Sequence, residues 1–139
     1  MIEYNYTNKE GFIVISGIHH ISMKCQSDTE YEKAKKFYID ILGLSILKEC
    51  ESCILMNTDN GIIEVFRNAS ETLPQGVIRH FAFTVNNIEE IAKSVENAGY
   101  EVFVKPKKIN IGNDPDFPAT IAFCKGPLGE DVEFFQQEW

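Results

Sequence analysis

Residues 17–43 read Gly-Ile-His-His-Ile-Ser-Met-Lys-Cys-Gln-Ser-Asp-Thr-Glu-Tyr-Glu-Lys-Ala-Lys-Lys-Phe-Tyr-Ile-Asp-Ile-Leu-Gly. The opening alternates, so Ile18 to Lys24 is predicted to be a strand. His20, Ser22 and Lys24 share one face; His19, Ile21 and Met23 share the other. The period then lengthens. Apolar residues at Tyr31, Ala34, Phe37, Tyr38, Ile41 and Leu42 predict a helix from Asp28 to Leu42. Asp28 is placed to cap it and Gly43 to end it.

Outward from this stretch, three strands are predicted at Leu44 to Glu49, Cys53 to Asn57 and Ile62 to Arg67. The last two are joined by the turn Asp59-Asn60-Gly61, where Asn-Gly supplies positive φ cheaply. Residues 68–77 are rich in turn formers and read as a linker. The same order then returns: strand Ile78 to Val85, helix Asn87 to Ala98, stop at Gly99, and strands Tyr100 to Lys105, Ala119 to Cys124 and Asp131 to Gln136. Asn87 and Glu90 are spaced as a capping box. The chain is a βαβββ unit written twice. The predicted class is α+β, with two tandem modules (17–67 and 78–137) forming a curved mixed sheet around a cavity, helices outside. Residues 1–16 are an N-terminal extension, with Phe12 to Ile15 readable as an added strand. The Pro-, Asp- and Lys-rich stretch 106–118 reads as a long loop, of the kind that often serves as a lid.

The chain has 139 residues, 44% hydrophobic and 24% charged, which suits one ordinary globular domain. Its net charge of −8 argues against nucleic acid or an anionic membrane as partner. No apolar run reaches membrane-spanning length, and the first residues lack a signal-peptide pattern, so the cytoplasm is expected. The Lys33–Lys36 and Lys105–Lys108 clusters read as solvated surface. Cys50 and Cys53 form one Cys-x-x-Cys in a short turn between strands, not at a helix N-terminus where a thiolate is stabilised. Free thiols are the expected state of the four cysteines, with a hairpin disulfide between Cys50 and Cys53 as the alternative.

Four residues carry the chemistry. His20 lies on the opening strand of the first module and Glu64 on its closing strand; His80 and Glu133 hold the matching places in the second. By alternation His80, Ala82 and Thr84 share a face, as do Asp131, Glu133 and Phe135. All four side chains are predicted to lie away from the helices, facing one cavity. A Glu within an apolar strand is costly to bury unpaired, and imidazole with carboxylate is a good donor set for a divalent metal. Phe66, Phe103, Phe123 and Phe135 are candidates to line the pocket, with core packing as the default reading for aromatics.

Gly-Ile-His-His-Ile, Lys-Phe-Tyr-Ile-Asp-Ile-Leu-Gly-Leu, Ile-Arg-His-Phe-Ala-Phe-Thr-Val and Gly-Pro-Leu-Gly-Glu-Asp-Val-Glu-Phe-Phe together resemble the vicinal oxygen chelate family, the superfamily of glyoxalase I, bleomycin-resistance proteins and extradiol dioxygenases. The resemblance spans 17–137. It implies a metal held by His20, Glu64, His80 and Glu133, and the full set is most similar to bacterial glyoxalase I (lactoylglutathione lyase). That in turn implies Ni, Co, Mn or Zn as the metal, a homodimer, and a small-molecule substrate with glutathione or another thiol as co-substrate. Lys24 stands where those enzymes carry Arg, and Asn68 where a residue holds glutathione. The implied reaction is that of a lyase or isomerase: proton transfer through a metal-bound enediolate on a small α-oxo hemithioacetal, with Glu133 as first base and Glu64 sharing the role. The alternatives are a methylmalonyl-CoA-epimerase-like or thiol-transferase member of the fold, or a non-catalytic drug- or toxin-binding protein. The loop 110–119 and the turn Gly126-Pro127-Leu128-Gly129 depart from the glyoxalase I pattern near the substrate, not near the metal.

Overall fold

The computed structural model describes residues 17–70, 76, 78–113 and 116–138. The N-terminal extension, with its candidate strand, and most of the linker 71–77 lie outside them. The elements are β1 (His20–Lys24), α1 (Asp28–Lys35) with a π-helical turn (Lys36–Ile41), β2 (Ser45–Glu49), β3 (Cys53–Asn57), β4 (Ile62–Phe66), β5 (Phe81–Thr84), α2 (Ile88–Asn97), β6 (Val102–Asn113), β7 (Asp116–Lys125) and β8 (Asp131–Gln137). The strands form two four-stranded mixed sheets, ordered β1-β4-β3-β2 and β5-β8-β7-β6. In each, the opening strand runs parallel to the closing strand and the other pairs are antiparallel. The βαβββ repeat is therefore realised as one sheet per unit.

Three local expectations change. The cap of α1 is Ser27, not Asp28. Ser27 has extended backbone, and its hydroxyl accepts from the Glu30 amide at 3.2 Å; the Glu30 carboxylate in turn accepts from the amide of Gln26, the residue before the cap, at 2.9 Å. Asp28 is already helical and pairs with Arg67 at 3.3 Å. The first helix also does not stay α to its end. After Lys35 it widens, and the Leu42 amide reaches back to the Phe37 carbonyl at 2.9 Å. Phe37 and Tyr38 are adjacent, yet both are fully buried, their rings edge to face at 5.0 Å. A wider turn lets two consecutive rings reach the core.

The third change is larger. Residues 106–113 and 116–118 are not a loop, because β6 extends to Asn113 and β7 begins at Asp116, paired antiparallel. The Lys105–Lys108 cluster accordingly sits on a strand, with Lys105 paired to Glu96 at 2.7 Å. Pro106 has no N–H to give, but β6 is the sheet's edge and its register shifts between Val104 and Lys107. A proline is tolerated at such a place. Gly43 and Gly99 end their helices at φ +82° and +93°, as their positions predicted.

The helix-bearing faces of both sheets meet in one core. It includes Tyr31, Phe37, Tyr38, Ile54, Met56 and Val65 from the first unit, and Val95, Cys124, Val132 and Phe134 from the second. Tyr38 donates to the Glu130 carboxylate at 2.9 Å across the two units. Among the described residues no helix is long and apolar enough to cross a membrane.

Candidate functional site

With one face of each sheet committed to the core, alternation sends every second side chain to the other face. In the first sheet the parallel register sets His20 opposite Ile62, Ser22 opposite Glu64 and Lys24 opposite Phe66. In the second, Ala82 lies opposite Glu133 and Thr84 opposite Phe135, with His80 two residues before Ala82. The Glu is thus paired with the residue two beyond the His in both units. The two half-sets share one register, with Glu64 and Glu133 at strand positions of opposite parity to the core-facing Ile63, Val65, Val132 and Phe134.

The two halves differ in what they have closed. His80 Nε2 stands 3.0 Å from Glu133 Oε2, with the imidazole partly exposed and the carboxylate 8% exposed. Burial pushes the Glu133 carboxyl above its ordinary value, and the neighbouring His80 offsets part of that rise. The His80 ring also lies edge to face on Phe123 at 5.1 Å. In the first unit His20 instead turns to its neighbour: the Nδ1 atoms of His19 and His20 are 3.0 Å apart. Both imidazoles are exposed and Glu64 is half-buried. Lys24 is exposed on the same face, one register step past Glu64; Asn68 is exposed just after β4.

The donor chemistry fits a divalent ion, but one chain does not bring the four donors together. Among the described residues no three His, Cys, Asp or Glu side chains are gathered closely enough to hold a metal. A single chain closes one donor pair, His80 with Glu133, while His20 and Glu64 lie on the other sheet.

For the aromatics the structure departs from the default of core packing and agrees with the alternative. Phe66, Phe103, Phe123 and Phe135 are absent from the buried core. Phe123 is in register with Glu133, and the Phe103 ring lies tilted against Phe123 at 5.7 Å. Phe117, not singled out by sequence reading, meets Phe135 at 6.1 Å. The signal was present: Phe123, Phe135 and Glu133 share one parity on paired strands, so aromatics of that parity belong with Glu133. Sequence reading also missed a cleft of about 990 Å³ between the two units, which His20 lines together with Thr84, Asn87, Glu90 and Ser94.

The sequence profile described as Glyoxalase/Bleomycin resistance protein/Dioxygenase superfamily matches residues 17–134. The chain is 31% identical over 137 residues to the uncharacterised protein YwkD of Bacillus subtilis (strain 168), covering 90% of this chain and 100% of that one. Its fold is similar to that of TnmS3, an antibiotic binding protein from a Streptomyces species (TM-score 0.68, 20% identity, 91% of this chain and 99% of that one). It is also similar to that of a lactoylglutathione lyase from Agrobacterium tumefaciens (TM-score 0.63, 16% identity, 88% and 94%). At these structural identities the likeness is one of fold.

Proposed function

This chain belongs to the Glyoxalase/Bleomycin resistance protein/Dioxygenase superfamily, and from that premise we propose that it is a metal-dependent lyase or isomerase of the glyoxalase I type, acting on a small α-oxo substrate such as the hemithioacetal of a thiol with methylglyoxal. The observation that carries the reading is the repeated register: each unit sets a His at the head of its opening strand, His20 as the first residue of β1 and His80 just before β5, and a Glu opposite the residue two beyond that His. Nothing in sheet packing requires that pair twice.

His20, Glu64, His80 and Glu133 would hold the ion, with Ni, Co, Mn or Zn suiting two imidazoles and two carboxylates. When bound, the metal would polarise a substrate carbonyl. The chain's own part is proton handling. Glu133, raised by burial, is closer to the ideal of a carboxylate that takes and returns a proton near neutral pH, and Glu64 shares the role. Lys24 and Asn68 would meet the thiol portion of the substrate.

Because one chain does not bring its four donors together, the centre in this reading is completed by a second copy in a homodimer, the first half-site of one chain facing the second half-site of the other. Exposed apolar side chains support a cover. Ile18 and Ile78, each two residues before its histidine, are 77% and 76% exposed, and large exposed apolar side chains beside a site mark a surface meant to be covered.

The test is the nickel-loaded protein with methylglyoxal and glutathione, then with other thiols, following thioester absorbance. Turnover that Glu64→Gln lowers by about 10²-fold or more supports the reading; silence with every thiol overturns it. The aromatic surface of Phe103, Phe117, Phe123 and Phe135 favours one second reading, a binder that sequesters a planar small molecule. Such a protein would keep its ligand affinity in Glu64→Gln.

A further inference from the structure

The chain between β2 and β3 reverses through Cys50-Glu51-Ser52-Cys53, and this turn is built more firmly than its exposure suggests. The Cys50 amide donates to the Cys53 carbonyl at 2.9 Å, and the Arg67 amide from the neighbouring strand end donates to the Ser52 carbonyl at 3.0 Å. On the ladder side, Glu49 is in register with Ile54. Four-residue turns of this kind keep their end Cα atoms within about 7 Å, a span that a disulfide bridges without backbone movement. The two sulfurs already touch: Cys50 Sγ and Cys53 Sγ are 2.8 Å apart, both as free thiols.

The pair is asymmetric in a useful way. Cys50 is exposed, whereas Cys53 is 8% exposed and faces the side of the sheet that carries Glu64 and Phe66. The other two cysteines are shut in: Cys25 is 3% exposed and Cys124 fully buried. A reagent from solution therefore meets Cys50 first. Its thiol is held down at about 7 by the Cys53 thiol and the Ser52 hydroxyl, while burial pushes Cys124 up to about 12. The stabilisation that a helix N-terminus gives in other Cys-x-x-Cys sites is supplied here by the turn itself.

We propose that Cys50 and Cys53 are a thiol–disulfide exchange site that reduces small-molecule disulfides, with Cys50 attacking and Cys53 resolving. The Cys50 thiolate attacks one sulfur of the small disulfide and expels one thiolate. Cys53 loses its proton, its sulfur attacks the Cys50 sulfur, and the second small thiol leaves. Two electrons pass from the protein to the small disulfide, and one protein dithiol plus one disulfide gives one protein disulfide plus two thiols. The chemistry uses no metal and none of the His or Glu residues above, so it stands apart from the proposed lyase activity.

The test treats the full chain with bis(2-hydroxyethyl) disulfide and follows intact mass and free thiols. The wild type is expected to lose two of its four titratable thiols and two hydrogens in mass, with digestion giving one cross-linked peptide joining Cys50 to Cys53. Cys53→Ser is expected to stop at a stable mixed disulfide on Cys50, and Cys50→Ser to stay unmodified over the same time. A wild type that retains the mixed adduct, that does not react, or that cross-links through Cys25 or Cys124 overturns the proposal.

Discussion

The phenol of Tyr38 donates to Glu130 Oε2 at 2.9 Å, and the Leu128 amide donates to Glu130 Oε1 at 2.8 Å. One residue comes from the helix of the first unit, the others from the turn before β8, so a single carboxylate links the two halves. Burial raises the Glu130 carboxyl, and these two donors pull it back. Removing one of them leaves a buried charge poorly satisfied. Tyr38→Phe is expected to cost about 1–3 kcal/mol at neutral pH, read from the urea midpoint. The sign with pH follows. A carboxyl whose folded pKa lies above its unfolded value binds protons more tightly when folded, so its contribution is present below the unfolded value and lost as pH rises through the folded one. Losing the Tyr38 donor raises the folded value further. The gap between variant and wild type is therefore expected to shrink in mild acid, and a gap that widens there would refute this account.

At the scale of elements, the two helices start on the same kind of cap. Ser27 caps α1 through the Glu30 amide and Asn87 caps α2 through the Glu90 amide at 3.3 Å. Ser27→Ala and Asn87→Ala are each expected to cost about 1 kcal/mol, measured by thermal unfolding, whereas Asp28→Ala, which removes an exposed pairing to Arg67 rather than a cap, is expected to cost less. The π-helical turn carries more. Phe37 packs edge-on against Tyr38 and Tyr100, the latter at 4.8 Å. Phe37→Ala is expected to cost about 3–5 kcal/mol, since the wider turn exists to seat that ring.

Over the whole molecule, the question is where the two half-sites find each other. If they meet between copies, the variants His20→Ala and His80→Ala should each lack activity and metal alone, yet regain some of both when refolded together. In a mixed dimer one site carries both lesions and the other carries none. Statistical pairing of equal amounts then restores about a quarter of the wild-type sites, counted as bound nickel as well as turnover. If instead the halves met within one chain, every site would carry one lesion and mixing would restore nothing. Sedimentation of the wild type should show a dimer at assay concentration.

Local order determined much of this protein. The change of period inside residues 17–43, the glycine stops at Gly43 and Gly99, and the second appearance of the whole pattern from Ile78 onward set the repeat, the faces of β1 and β5 and the parity of His20, Glu64, His80 and Glu133, because each depends only on neighbours a few residues away. What tertiary structure decided is non-local. Pro106 became part of an edge strand because no further strand asks for its missing N–H. Phe123 and Phe135 went to the open face because the helices had claimed the opposite one, and Tyr38 found Glu130 only once both units shared a core. The separation of the four donors onto two sheets belongs to the same class. It depends on how one sheet packs against the other, and alternation along a strand fixes a side chain's direction but not its distance from another sheet.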